Sequence, residues 1–174
     1  MMSDGAVEIV RGSARAVVSP STEEEFAYIN ANLREMDKFE QNHFRSHCGG
    51  KVDSLDLFEK AWTLRLNGEI VGFVAIQVAS GQTVFGNSRF IPMLSTKNVE
   101  HHAIDYARLT KPVLKYVASQ AQPWVTDFFS LPLAKYDASV RWHEKTMGWH
   151  RVAEYDAFGE RAILFQISRK ELEK

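Results

Sequence analysis

Hydrophobic and polar positions change rhythm along this chain, and the rhythm predicts its elements. Residues 6 to 18, AVEIVRGSARAVV, are short, β-rich and interrupted by Gly12, which suits an edge strand or a bent hairpin. In the following SPSTEEEF, Ser21 or Thr22 can act as an N-cap with Glu24 or Glu25 three positions on, a capping box. Three carboxylates then stand at the positive end of the helix dipole. Phe26, Ile29, Leu33, Met36 and then Phe39 or Glu40 recur at spacings of three and four, which predicts one helix to about His43, ended by HCGGK.

Asp53 or Ser54 can cap a second, shorter helix through Leu57 and Phe58. Trp62, Leu64 and Leu66 then alternate with Thr63 and Arg65 as a strand does, and Asn67-Gly68 is a strong hairpin signal. The nearly all-apolar run EIVGFVAIQVA predicts a central strand buried on both faces. Ser80-Gly81 turns into a third strand, TVFGNSRFIPML. Val99, Ala103, Tyr106, Leu109, Val113 and Val117 share one face of a long helix, which Pro112 is expected to kink or split. WVTDFFSL reads as another buried strand, and KYDASVRWHEKTMGW as a short amphipathic helix that stops at a glycine. WHRVAEYDAFGERAILFQI reads as two strands joined around Phe158-Gly159. The predicted order is β, α, α, β, β, β, α, β, α, β, β.

Composition narrows the class. A chain of 174 residues buries one good core and predicts a single domain over 1–174. Apolar residues at 45% and charged residues at 25% predict a compact, soluble globule. A net charge of −1 supplies no global field for nucleic-acid phosphates, so no nucleic-acid partner is expected. Cys48 is the single cysteine, which excludes an internal disulfide and a cysteine-rich zinc site and fits a reducing compartment. The start, MMSDGAVEIV, lacks a basic and apolar leader, and no long apolar run follows, so a cytoplasmic protein without a membrane span is expected.

Candidate chemistry is sparse. Asp37, Glu40 and His43 lie three apart on one face of the first predicted helix, where Glu40 is the best candidate base, although Lys38 or Arg34 could simply pair with that face. His43 and His47, beside Cys48, have a helical spacing that could bring two imidazoles to one metal, but nothing nearby completes the set, and no metal is expected. His101-His102 with Asp105 offers a helix-surface contact. Trp62, Trp124, Trp142 and Trp149 fall in or beside strands and read as core. Nucleotide P-loop, Gly-x-Ser-x-Gly and dinucleotide fingerprints are missing.

The strand and helix order from Asn67-Gly68 to Ile167 resembles that of the GNAT acyl-CoA-dependent N-acyltransferases. DASVRWHEKTMGW is similar to the family's Asn, small residue, aromatic pair, Glu-Lys and Leu-Gly-Phe, and GEIVGFVAIQV looks like its second and third strands. Leu33, Arg34, Asp37 and Glu40 make the chain most similar to the small GNAT-like proteins of tailed bacteriophages. The resemblance implies an α+β (mixed α/β) fold, a mostly antiparallel twisted sheet of about six to seven strands flanked by about four helices. It implies acetyl-CoA or another acyl-CoA as co-substrate, and direct transfer to an amine-bearing small molecule or protein. A GNAT-fold phage protein without catalysis, binding a virion or host protein in the host cytoplasm or the virion, is the alternative.

In that family two strands splay and leave backbone groups for the pantetheine arm. By resemblance these are Thr83 to Leu94 and Trp124 to Leu131, and Pro92 removes a donor where the ladder should open. A backbone N–H near Ile91 or Met93 would hold the oxyanion. The family's glycine-containing diphosphate loop corresponds to residues 93–98, MLSTKN, which contain no glycine. Ser95, Thr96 and Lys97 could hold a phosphate there, or form an N-cap with a solvated lysine. The family's proton-donating tyrosine falls on His143 or Glu144, depending on where one extra residue is placed.

Overall fold

In the computed structural model, which describes residues 5–48, 54–77 and 86–174, the N-terminal β-rich stretch is a hairpin. β1 (Val7–Arg11) and β2 (Ala14–Pro20) pair antiparallel, and Gly12 turns the chain at φ 62°. Thr22 caps α1 (Glu23–Ala31): its hydroxyl accepts the Glu25 N–H at 3.2 Å, while Glu25 Oε2 accepts the Thr22 N–H at 3.1 Å. Glu25 also accepts bonds from Thr63 and Arg65, which ties the helix start to the neighbouring strand.

The single helix predicted to run to His43 is two helices. Asn32 ends α1, Leu33 makes an antiparallel bridge with Thr96, and α2 (Glu35–Cys48) starts afresh. Around that bridge the Arg34 N–H donates to Ser95 C=O and the Lys97 N–H to Asn32 C=O, both at 2.9 Å. Long-range backbone pairing at the buried Leu33 wins over the local helical period.

Ser54 caps a short 3₁₀ turn, Leu55–Leu57, instead of an α-helix; Asp53 and the Ser80-Gly81 turn lie outside the described residues. β3 (Lys60–Leu66) and β4 (Glu69–Ile76) are joined by Asn67 and Gly68 at φ 50° and 84°, the left-handed pair that a two-residue hairpin requires. β4 is buried on both faces. Val74 and Ile76 belong to the larger core cluster, while Phe73 and Ala75 join Phe26 and Ile29 in a smaller one. The Phe26 and Phe73 rings lie 4.9 Å apart, and burying each such side chain contributes roughly 1.5–3 kcal/mol.

The third predicted strand breaks at Ile91-Pro92 into β5 (Ser88–Phe90) and β6 (Met93–Ser95). Lys97–His102 form a 3₁₀ turn that runs into α3 (Ala103–Ser119), whose Leu109, Val113 and Val117 are buried on the larger core. Pro112 does not split α3, and the carbonyl it leaves free, that of Arg108, accepts Arg11 Nη1 at 3.2 Å.

After β7 (Asp127–Ser130) come α4 (Asp137–Arg141) and one wide π turn, Trp142–Thr146, ended by Gly148 at φ 72°. The π turn holds one residue more than an α turn, and Met147 N–H donates to Trp142 C=O at 3.0 Å. β8 (His150–Ala157) and β9 (Glu160–Ser168) form the last hairpin around Phe158 and Gly159, and α5 (Arg169–Leu172) follows.

The strands run in the order β1-β2-β3-β4-β6 in one sheet and β5-β7-β9-β8 in the other, and the β5–β7 pair is parallel where the rest are antiparallel. This is the α+β, mostly antiparallel architecture expected. Trp62 and Trp149 are core, but Trp124 is 52% exposed, with the Arg89 guanidinium 4.6 Å from its ring centroid. Among the described residues no helix is long and apolar enough to cross a membrane.

Candidate active site

The chain changes sheets at Pro92. Before it, Phe90 and Gln77 exchange two backbone bonds, and Ile91 N–H donates to Phe129 C=O at 2.9 Å. After it, β6 pairs only with β4 while β7 continues along β9, and among the described residues Ile91 C=O and Leu131 N–H do not form the next rung. Ala75 donates to Pro92 C=O and Thr96 to Val71 C=O, so by alternation Met93 and Ser95 turn their backbone groups away from β4, into the gap. Gly72 permits this approach of β6: a Cβ there would stand 2.8 Å from Leu94 O.

Ile91 is therefore corrected as an oxyanion donor, because its N–H is spent on Phe129 and its side chain is core. Ser95 is also spoken for: its N–H donates to Asp37 Oδ1 at 3.2 Å, its C=O accepts from Arg34, and its hydroxyl meets Tyr106 OH at 3.1 Å. Met93 is left facing the gap.

α2 lies across this gap. Arg34 Nε donates to Asp37 Oδ2 at 2.6 Å, and burial raises the Asp37 pKa although Arg34 opposes it. One turn on, Glu40 Oε1 accepts the Leu133 N–H at 2.9 Å. Burial pushes the Glu40 pKa up to about 7; the Leu133 bond and the charges of Arg34 and Lys135 pull against it, and Asp37 adds to it. A carboxylate poised there can take a proton near neutral pH.

Beside Glu40, Lys135 Nζ sits 3.3 Å from the centroid of Phe39 and 2.8 Å from Glu160 Oε1, with the Tyr136 ring 5.6 Å away. These aromatic faces and this carboxylate hold an alkylammonium. His43 stacks on Phe39 and its Nε2 lies 2.7 Å from Ala157 O, so it faces the last hairpin.

His143 is 5% exposed and stacks on Phe165 at 4.9 Å. Nδ1 is 2.8 Å from Ser139 C=O, which can only accept, so Nδ1 carries the proton and Nε2 accepts the Ser130 hydroxyl at 2.9 Å. Burial lowers its pKa to about 4. The one proton of the neutral ring is held by Ser139 C=O. Glu144 is paired with Arg151 at 3.0 Å on the surface.

The expected phosphate loop is closed. Thr96 is fully buried, its hydroxyl donates to Ile70 C=O at 2.7 Å, and the N–H groups of Thr96 and Lys97 go to Val71 and Asn32. Of the Ser95, Thr96 and Lys97 trio, the exposed Lys97 side chain alone is open to an anion. His102 pairs with Glu69 at 2.9 Å and Asp105 with Arg108 at 3.8 Å, so the expected His101, His102 and Asp105 contact is not made. Among the described residues no cluster could hold a metal ion, and the side chains of His47 and Cys48 lie outside them.

Helical spacing singles out Glu40, which the fold buries beside Leu133, and gives no sign of Lys135, Tyr136 or Ser130. These meet Phe39 and His143 only through the fold, and the local pattern carries no signal for them.

This is the fold of the GNAT acetyltransferases. The chain is similar to the aminoglycoside acetyltransferase AAC(6')-Ib in complex with coenzyme A, with TM-score 0.64 and 18% identity, covering 91% of this chain and 97% of that one. It is similar to the GNAT domain of PAT from S. lividans, with TM-score 0.62 and 14% identity over 97% and 99% of the two chains. The ribosomal-protein-S18-alanine N-acetyltransferase from Escherichia coli gives 0.58 and 11% over 88% and 93%. At these identities the likeness is one of fold. No protein-family model matches the chain, and no curated protein matches its sequence.

Proposed function

We propose that this chain is an acyl-CoA-dependent N-acyltransferase, with acetyl-CoA as the first choice of donor and direct transfer to an amine. The observation that carries this reading is the position of Glu40, a buried carboxylate bonded to Leu133 N–H on the bank of a strand gap that, among the described residues, has backbone groups to spare; burial raises its pKa toward neutrality. Glu40 removes one proton from the acceptor ammonium, and the nitrogen lone pair attacks the thioester carbonyl. Met93 N–H faces the oxyanion; the carbon–sulfur bond then breaks, and the thiolate takes the second proton that the nitrogen sheds. His143 and Glu144 are not needed as acids in this sequence.

The acceptor ammonium takes the place that Lys135 holds against Phe39, Tyr136 and Glu160. That favours a primary alkylamine, on a small molecule or a protein, and the similar folds include acetyltransferases of aminoglycosides and spermidine.

Melting with and without acetyl-CoA tests the reading. Ligand at 100 times its Kd adds roughly 2.7 kcal/mol, which at about 2–4 °C per kcal/mol moves the midpoint by several degrees. Glu40→Gln should keep that shift and lose acyl transfer. No shift with acetyl-CoA, CoA or longer acyl-CoAs favours a second reading, a GNAT-fold phage protein that binds a virion or host protein without catalysis. The closed turn at Lys97–His102 and the neutral His143 support that alternative.

A further inference from the structure

The two halves of a coenzyme A thioester meet very different surfaces here. The acyl-pantetheine half is a chain of amides, and amides pair with backbone groups. The gap offers them Met93 C=O, Ile91 C=O and Leu131 N–H, none of which, among the described residues, is bonded to the backbone across it. The nucleotide half carries a diphosphate, which needs bare N–H groups at a helix start or a cluster of cations.

At the Lys97–His102 turn that leads into α3, most of those groups are committed. Thr96 N–H and Lys97 N–H donate to Val71 and Asn32, Val99 N–H to Thr96, and the Thr96 hydroxyl to Ile70. Asn98 Nδ2 also donates to Ile70 C=O, at 3.1 Å. Ser95 Oγ is buried against Tyr106. Glu100 is exposed on the same turn, and its charge repels phosphate. Among the described residues of this turn Lys97 is the one lysine or arginine, and the pairing of such an exposed side chain with an anion is weak.

From this contrast, and resting on the acyl-transfer reading above, we infer that the donor is recognised through its acyl-pantetheine arm and that the nucleotide diphosphate adds little to binding. The donor class is therefore an acyl thioester on a pantetheine arm, either free or carried on a protein through a phosphodiester. Transfer balances as for acyl-CoA, since the same carbon–sulfur bond breaks.

Titration calorimetry of the full chain with pantetheine and with CoA separates the possibilities. The expected result is a pantetheine Kd within about tenfold of the CoA Kd. Lys97→Ala and a change from low to moderate salt should each alter the CoA affinity by less than about threefold. CoA binding more than about tenfold tighter than pantetheine, or an affinity that collapses with salt, overturns the inference and leaves acyl-CoA binding standing. Binding of neither compound overturns both. Competition between acetyl-pantetheine and an acetylated carrier protein identifies the source: tighter capture of the carrier marks a protein-borne arm and equal capture a free one, and each outcome supports the class.

Discussion

Asp37 and Glu40 stand one turn apart on α2, yet they accept backbone N–H groups from opposite banks of the gap, Ser95 on one and Leu133 on the other. A single helical turn thus spans the divergence of the strands. The carboxylates are there because the backbone donors beneath them need acceptors. Burial raises both pKa values, and the neighbouring Asp37 adds to the rise at Glu40.

Glu40 should couple activity and stability to pH in opposite directions. As a base it works ionised, so kcat/KM should rise through pH 7. Its folded pKa of about 7 lies above the ordinary 4.5, so its stabilising contribution is full below 4.5 and lost as pH rises through 7, on the order of 3 kcal/mol. Denaturant unfolding at pH 5 and pH 8 should show that loss in the wild type. Glu40→Gln, which can still accept from Leu133, should flatten it; an unchanged slope would remove Glu40 as the titrating group.

His143 predicts the reverse dependence at acid pH. Its folded pKa of about 4 lies below the ordinary 6.5, so stability is full above 6.5 and falls as pH drops through 4, again on the order of 3 kcal/mol. Nitrogen-detected NMR should find the His143 ring neutral at pH 5, with its proton on Nδ1. His143→Phe should abolish that signal and reduce the acid sensitivity.

Gly72→Ala should destabilise the protein by roughly 1–3 kcal/mol, because the added methyl meets backbone that cannot rotate away. The atom it meets is Leu94 O at 2.8 Å, so the β4–β6 pairing yields first. Amide exchange should accelerate at Leu94 and Thr96 well before it does in β9.

Pro112→Ala should stabilise by about 2 kcal/mol, the helix-interior cost of proline less its restriction of the unfolded chain. The restored N–H would bond Arg108 C=O and compete with Arg11. Thermal melting checks the sign, and a lower midpoint would show that Arg11 compensates fully.

Much of the fold was legible because its signals are local. Asn67-Gly68, Phe158-Gly159 and the Thr22–Glu25 capping box each act within a few residues, and each appears where the pattern places it. The break between α1 and α2 was hidden, since Leu33 fits the helical stripe and leaves it only to pair with Thr96, far along the chain. Glu40 was legible as a carboxylate on a helix face, but its elevated pKa comes from burial in the folded chain, which no spacing reveals. The burial of His143 was hidden for the same reason: helical phase places a residue on a face, and only the fold says whether that face meets Phe165 or water. Trp124 misled in the opposite sense, because a tryptophan beside a strand need not point inward.

The wide turn at Trp142–Thr146 works as a phase shifter. Each residue of a regular helix advances the side chains by about 100°, so one residue too many decides which of two neighbours looks inward. With the extra residue in place, His143 looks toward Ser130 and Glu144 toward Arg151. Deleting a single residue from that turn would rotate one of them away and exchange a buried polar pair for a surface ion pair, with the surrounding strands left where they are.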